Sequence, residues 1–470
     1  MEASMSATQL PPAADSEARR RILTVLFIGV FMAALDAAVI APAVPALRSA
    51  FGVDNRAIGM VTIVFSLAQM SSTMLMAGLS DRHGRRPIYL LCVAGFAAGS
   101  LLIALAPAFW AVLLGRVLQG LSAGGVTPTA SAVVGDIFPP EERGKALGLI
   151  GATFGMAFLI GPMFASLILV ALSWQWIFLL NLPVAAVILW MGARALPTTR
   201  SADAAEPLDW AGAVLLGVML TCLALGINRV LDGALGLTLW PFLLGAAALC
   251  LPLLVLIERR APRPAIPMGL FGTRQLLLTY LLCVGAGFGM GSVIFTASVA
   301  VAALGAPPEQ AGLLLIPLVL ASTAGSVVFG RLLNQLGSRL VLICGFGAVG
   351  AGAALLALSA AGFLVFLAAT LLLGLGVGVV VGGTLRTIVL NEVAPEQRGA
   401  AQGLVNVMIG VGNLLVVALL GVLADTRGGG MAGLAAAYLT AAGIMALMIA
   451  LSLGLKPREA EAPAPAPAAS

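Results

Sequence analysis

Charge is scarce in this chain: 10% of its 470 residues are Asp, Glu, Lys or Arg, where a soluble globular domain carries about 25%. That scarcity excludes an ordinary water-soluble globule. Histidine occurs once, at His83, in a stretch that reads as a solvated loop. The five cysteines, Cys92, Cys222, Cys250, Cys283 and Cys344, stand singly inside apolar runs without metal-ligand spacing and read as buried, inert thiols. There is no Gly-x4-Gly-Lys-Ser/Thr phosphate loop, so ATP hydrolysis by the chain itself is not expected to drive it. An enzyme working inside a membrane would cluster His, Asp, Glu or Cys within its spans. The lone His lies in a loop and the lone embedded acid has no second acid near it, so the reading is not an enzyme, with no metal and no cofactor beyond an ion gradient.

What the chain has in excess is apolar length. Hydrophobic residues make up 60% of it and the mean hydropathy is +1.08. Fourteen runs approach the ~20 residues that cross a ~30 Å hydrocarbon core, starting near residues 22, 57, 88, 109, 146, 176, 209, 236, 276, 311, 339, 362, 400 and 432. Helices are the expected form, because lipid-exposed backbone must satisfy its own hydrogen bonds. With the N-terminus in the cytoplasm, Arg19 to Arg21, Arg82, Arg85, Arg86, Arg143, Lys145, Arg194, Arg200, Arg259, Arg260, Arg263, Arg274, Arg331, Arg339, Arg386, Arg398, Lys456 and Arg458 fall inside. Only Arg48, Arg56, Arg229 and Arg427 fall outside, and Arg116 is left within a span. This asymmetry sets both termini in the cytoplasm. It also accounts for the net charge of +5 without a nucleic-acid partner. Trp110, Trp174, Trp176, Trp210 and Trp240 fall near predicted helix ends, as an interfacial belt requires. The first apolar run reads as a retained span rather than a cleaved signal peptide.

The chain repeats itself. Ala77-Gly-Leu-Ser-Asp81-Arg-His-Gly84-Arg85-Arg86 returns as Gly330-Arg-Leu-Leu-Asn334-Gln-Leu-Gly337-Ser-Arg339, and Pro140-Glu-Glu-Arg143-Gly144-Lys-Ala-Leu-Gly148 returns as Pro395-Glu-Gln-Arg398-Gly399-Ala-Ala-Gln-Gly403. Asp81 and Asn334 are 253 positions apart, Arg143 and Arg398 255. Duplication of this kind is the architecture of secondary transporters. The expected organisation is a cytoplasmic tail over 1–21, a six-helix bundle over 22–196, an inserted membrane hairpin with its connectors over 197–275, a second six-helix bundle over 276–455, and a disordered tail over 456–470 ending in Ala-Pro repeats. Gly120, Gly124, Gly151, Gly155 and the series Gly285, Gly287, Gly289, Gly291 are suited to close helix approach.

Asp81-Arg82-His83-Gly84-Arg85-Arg86 resembles the loop between helices 2 and 3 of the major facilitator superfamily, and Arg116-Val-Leu-Gln119-Gly120 resembles its helix 4 signature. Leu35-Asp36 followed by Pro45, Trp174-Gln-Trp176-Ile-Phe178-Leu-Leu-Asn181-Leu-Pro183, and Leu208-Asp209-Trp210 are similar to segments of its fourteen-helix drug:proton antiporter branch. Gly161-Pro162 matches the antiporter signature of helix 5, although Ala157, Ala165 and Ser166 stand where that signature has glycines. Other departures are Ala77, Ala38, Ala41 and Gln175. The resemblance implies an all-α fold of two six-helix bundles plus a hairpin, in the cytoplasmic membrane of a bacterium. It also implies proton-coupled export of lipophilic drugs, biocides or dyes by alternating access. A lipid, siderophore or other endogenous metabolite is the alternative cargo. Expected partners are small lipophilic substrates, protons and membrane lipids, and the carrier is expected to be a monomer.

Several residues can carry mechanism. Asp36 is the one acid well inside a predicted span, and burial favours the neutral form of a carboxylate, which lets it load and release a proton. Arg116 is read as the one basic residue deep in a span. At 1.5 Å per residue Asp36 lies ~21 Å along helix 1 and Arg116 ~10 Å from the outer end of helix 4, so both reach one depth. Asp81 at the end of helix 2 is placed to accept from the N–H groups opening another helix. Arg85 is placed to pair with Asp136. The resemblance implies that Asp81, Arg82, Gly84, Arg85, Arg86 and Asp136 form a cytoplasmic latch holding the outward-facing state, for which Asn334, Ser338 and Asn391 supply no ionic equivalent. Candidate cavity residues are Gln69, Gln119, Phe154, Phe158, Phe288, Met290, Asn406 and Asn413. With Ala38 and Ala41, the apolar members suit lipophilic monocations or neutral amphiphiles better than dications.

Overall fold

The computed structural model describes residues 16–53, 55–197, 210–228, 238–260, 268–305, 313–359, 362–394, 397–426 and 430–458. The expected N-terminal tail up to residue 15, the connectors 198–209 and 261–267, and the end of the C-terminal tail lie outside them. The first half contains α1 (Ser16–Phe51), α2 (Asn55–His83), α3 (Arg85–Ala104), α4 (Phe109–Ile137), α5 (Pro140–Ala171), α6 (Gln175–Leu179) and α7 (Asn181–Ala195). Then come α8 (Trp210–Asn228) and α9 (Trp240–Arg260), which pack on each other. The second half contains α10 (Arg274–Ser292), α11 (Thr296–Leu304), α12 (Ile316–Leu336), α13 (Ser338–Ala357), α14 (Phe363–Val381), α15 (Thr384–Glu392), α16 (Arg398–Thr426) and α17 (Gly430–Ser452).

Among the described residues twelve helical segments are long and apolar enough to cross a membrane. They include the pair α6 and α7, the pair α14 and α15, and α9, but neither α5 nor α8. Three spans expected as single helices are interrupted. Leu180 separates α6 from α7, a 3-10 turn over Val293–Phe295 separates α10 from α11, and Gly382-Gly383 separates α14 from α15. The first span starts at Ser16 rather than near residue 22, because the polar Glu17–Arg21 segment continues the helix and is laced by an Arg21–Glu17 pair one turn apart. The span expected near residue 311 becomes α-helix only at Ile316, where Pro317 occupies the first turn.

The repeat has a conformational reason. Gly84 (φ 99°) joins α2 to α3, and Gly337 (φ 77°) joins α12 to α13, so both copies of the motif turn through a backbone region that side chains rarely adopt. The second repeated motif brings the halves together. Gly144 and Gly148 at the start of α5 lie against Gly330 and Ser326 of α12, with the Ser326 hydroxyl donating to the Gly148 carbonyl at 2.7 Å. Gly399 and Gly403 of α16 occupy the matching positions against Asp81 and Ala77 of α2. Glycine is needed at these crossings: a Cβ on Gly144 would come within 2.9 Å of the Gly330 carbonyl oxygen. Each half has its own apolar core. Tyr89, Phe96 and Phe178 are fully buried in the first, Phe346, Phe366 and Tyr438 in the second. The helix α8 lies along α2, where Ser71 meets the Thr221 hydroxyl at 3.2 Å.

Candidate functional site

Four helices of the first half converge on Asp36. The α1 carboxylate is 1% exposed and accepts from Arg116 Nη1 at 2.6 Å through Oδ2. Its Oδ1 accepts from Gln119 Nε2 and from Asn181 Nδ2, both at 3.0 Å. Gln119 and Asn181 also donate to the Ser100 hydroxyl on α3, at 2.8 and 3.1 Å. Arg116, 1% exposed, is further held by Gln119 Oε1 at 2.9 Å and the Val61 carbonyl at 3.1 Å, and its guanidinium carbon lies 4.1 Å from the Phe65 ring centre. A buried ion pair is stable only when its remaining donors and acceptors are met, and here both Asp36 oxygens and Arg116 Nε and Nη1 are engaged. Removing either charge of the pair would leave the other buried without its counter-charge. Sequence reasoning found Asp36, Arg116 and Gln119 but gave no role to Ser100 or Asn181. An Asn inside the apolar run Trp176–Leu182 is the signal that could have found the second.

A second polar cluster lies where the halves meet. Asp81 accepts from the backbone N–H groups of Gly399 at 3.0 Å and Ala400 at 2.9 Å, at the start of α16, where the helix dipole favours an anion. Asp81 is also ion-paired with Arg85. Arg85 Nε donates to Asp136 Oδ2 at 3.0 Å, and Arg398 of the second half donates to Asp136 Oδ1, also at 3.0 Å. The Arg85–Asp136 pair therefore lies within the first half, and the charge that crosses to it is Arg398, which the sequence presents as an inside basic residue of the repeated motif and not as a partner of Asp136. The cross-over has a neutral image: Arg143 Nη1 donates to Asn391 Oδ1 at 3.0 Å, and Asn334 donates to the Glu141 carbonyl. Arg82 and Arg86 are half-buried beside this cluster, and Gly84 supplies its turn.

The other expected cavity residues are scattered. Phe154 packs against the core of the first half, and Phe288, 5% exposed, and Met290 against that of the second. Gln69 is half-buried on α2, with its carbonyl accepting from Ser72 and Thr73. Gly161 lets α5 approach α1, since a Cβ there would come within 2.7 Å of that of Ala38. Phe158 and Pro162 lie in α5, but their side chains fall outside the described residues, as does that of Ala41. Asn406 and Asn413 lie on one face of α16, and Asn406 accepts from Arg386 at 2.6 Å. Arg386 is a correction: expected in a cytoplasmic loop, it is 5% exposed on α15, within the interrupted candidate span Phe363–Glu392, so Arg116 is not the one basic residue buried in a candidate span.

Twelve membrane-length helical segments among the described residues, a repeated half and a buried charge network mark a multi-pass integral membrane protein of the transporter class. The chain belongs to the Major Facilitator Superfamily, whose profile matches residues 26–301 and again 276–470. It is 32% identical over 419 residues to the uncharacterized MFS-type transporter YfiU of Bacillus subtilis, covering 86% of this chain and 80% of YfiU. It is 31% identical over 412 residues to the tetracenomycin C resistance and export protein of Streptomyces glaucescens (87% and 76% covered). It is also 28% identical over 414 residues to a triacylglyceride transporter of Mycolicibacterium smegmatis (84% and 74% covered). Among solved structures, the proton:xylose symporter XylE superposes with a TM-score of 0.70 at 15% identity, covering 95% of this chain and 99% of XylE. The two share one fold.

Proposed function

We propose that this protein is a proton-coupled exporter of lipophilic compounds in the cytoplasmic membrane, working as a monomer by alternating access between its two halves. The observation that carries this reading is the Asp36 network: a carboxylate 1% exposed, paired at 2.6 Å with Arg116 and braced by three polar side chains from α3, α4 and α7. Charges placed at such depth are expensive and mark ion pathways. Relatives named for export and resistance support outward drug movement. In this reading α5 and α8 also cross the membrane, giving fourteen spans with α8 and α9 as the hairpin inserted between the bundles 22–196 and 276–455. Both termini are cytoplasmic, which places the Asp81–Asp136 cluster at the cytoplasmic end and makes the described conformation outward-facing. No cofactor takes part; the proton gradient supplies the energy.

An endogenous lipid or other metabolite as cargo is the second reading, favoured by the relative named as a triacylglyceride transporter. Substrate-induced proton movement in inside-out vesicles, measured against cationic, neutral and lipid substrates, separates the two. Responses to dyes and biocides support drug export, responses to lipids alone support the second reading, and no proton response to any transported substrate contradicts proton coupling.

A further inference from the structure

Among the described residues of the second half, Arg386 is the one charged side chain buried below a tenth of its surface. Arg85 and Arg116 both have carboxylate partners; Arg386 has none among the described residues. Its Nη2 donates to Asn406 Oδ1 at 2.6 Å, and its Nη1 has no hydrogen-bond partner. Gln402, one turn before Asn406, donates to the Arg386 carbonyl at 3.1 Å and leaves its own Oε1 unmet. Asn413, seven residues beyond Asn406 and on the same face, also has an unmet oxygen.

The place matters as much as the charge. Asn406 is half-buried on α16 between Gly403 and Gly410, and those glycines lie against Met74, Ala77 and Met70 of α2 in the other half. Arg386 therefore stands directly behind the boundary along which the halves meet. Guanidinium does not lose its proton in proteins, and an unpaired charge in a dry interior is strongly unfavourable. A counter-charge that enters and leaves resolves the conflict.

We infer that Arg386, with Asn406, is a binding site for a monovalent anion, most simply the carboxylate of an amphiphilic cargo. The inference rests on the transporter reading above. The planar fork of Arg386 matches a carboxylate, and the flanking Leu385, Val405 and Met74 are apolar and buried. A dianion would leave one charge unmet, because no second buried cation is described in this half. The Asp36–Arg116 pair is neutral as a unit, so Arg386 sets the sign of charge the interior accepts. That turns the cargo expectation away from lipophilic monocations and toward acid-bearing amphiphiles.

The test is equilibrium binding to the purified protein in nanodiscs without a gradient, read by tryptophan quenching against empty nanodiscs, with dodecanoate and dodecanamide as the matched probes. A charge-assisted bond of ~1.5–3 kcal/mol gives dodecanoate about tenfold or more tighter binding than the amide. R386Q should abolish that preference and R386K should keep part of it. Chloride that competes with dodecanoate in the native protein, but not in R386Q, supports the same site and identifies an inorganic ion as its resting occupant. Equal affinity of the native protein for the two probes, or a preference that survives R386Q, overturns the inference; the first comparison needs no variant. Because no proton movement is read, failure here is distinct from failure of proton coupling at Asp36.

Discussion

Replacing Arg398 by Gln should loosen the contact between the two halves without disturbing either half. Arg398 and Asp136 form a 3.0 Å bond with side chains 12% and 15% exposed. A charge-assisted bond contributes about 1.5–3 kcal/mol; with this partial exposure and with the Asp81 bonds to Gly399 and Ala400 left in place, about 1–2 kcal/mol of closed-state preference should go. That shifts the closed-to-open ratio by a factor of about 5 to 30. Asp136→Asn should shift it further, because Arg85 also loses a partner, although Arg85 keeps Asp81. Spin labels at His83 and Gln335, both exposed and one in each half, would report the populations as a distance distribution. The pair should show a coupling of about 1 kcal/mol in the double-mutant cycle, outside the ~0.3–0.5 kcal/mol scatter of independent sites. Additive effects, or an unshifted distribution in Arg398→Gln, would refute the latch assigned here.

Three further outcomes follow from the geometry. Asn181→Ala removes one donor from Asp36 and one from Ser100, so proton-coupled transport should slow by about tenfold, the equivalent of a lost charge-assisted bond, while the His83–Gln335 distance distribution stays native. Gly378→Ala places a methyl group into the Ser322 carbonyl of α12 and should destabilise the second half by about 1–3 kcal/mol, seen as a lower midpoint of thermal unfolding; an unchanged midpoint would mean the α12–α14 contact is looser than described. Gly399→Ala puts its methyl group against the Asp81 carboxylate and should favour the open state in the same spin-label assay, whereas Gly443→Ala, whose new methyl group meets nothing within 4 Å, should not.

Much of this was legible in the residues because charge inside apolar runs is rare enough to be informative. Asp36 and Arg116 are placed at one depth by the sequence, and the duplicated Asp81 and Pro140 motifs show that one half copies the other; that these motifs also lie where the halves meet is visible only in the structure. What failed did so for physical reasons. Arg398 and Arg386 read as topology signals, since a basic residue near a span end normally reaches for the interface; the break at Gly382-Gly383, which keeps Arg386 inside α15, leaves no periodic trace. Phe288 and Met290 pack on the core of the second half, which the residues alone do not reveal. Helices apolar all round carry no pattern that separates a face turned to a cavity from one turned to a neighbour. Asn181 was quoted within a motif, but its contact with Asp36 depends on where α7 begins after Leu180, a tertiary fact.

The account turns on whether the Asp36 carboxylate is the group that exchanges the proton. Inside-out vesicles containing the native protein or Asp36→Asn, matched for expression and monodispersity, should be compared for substrate-induced proton movement and for uphill transport. The account predicts that both are lost in Asp36→Asn while equilibrium substrate binding persists. Proton-coupled transport at the native rate in that variant would contradict it.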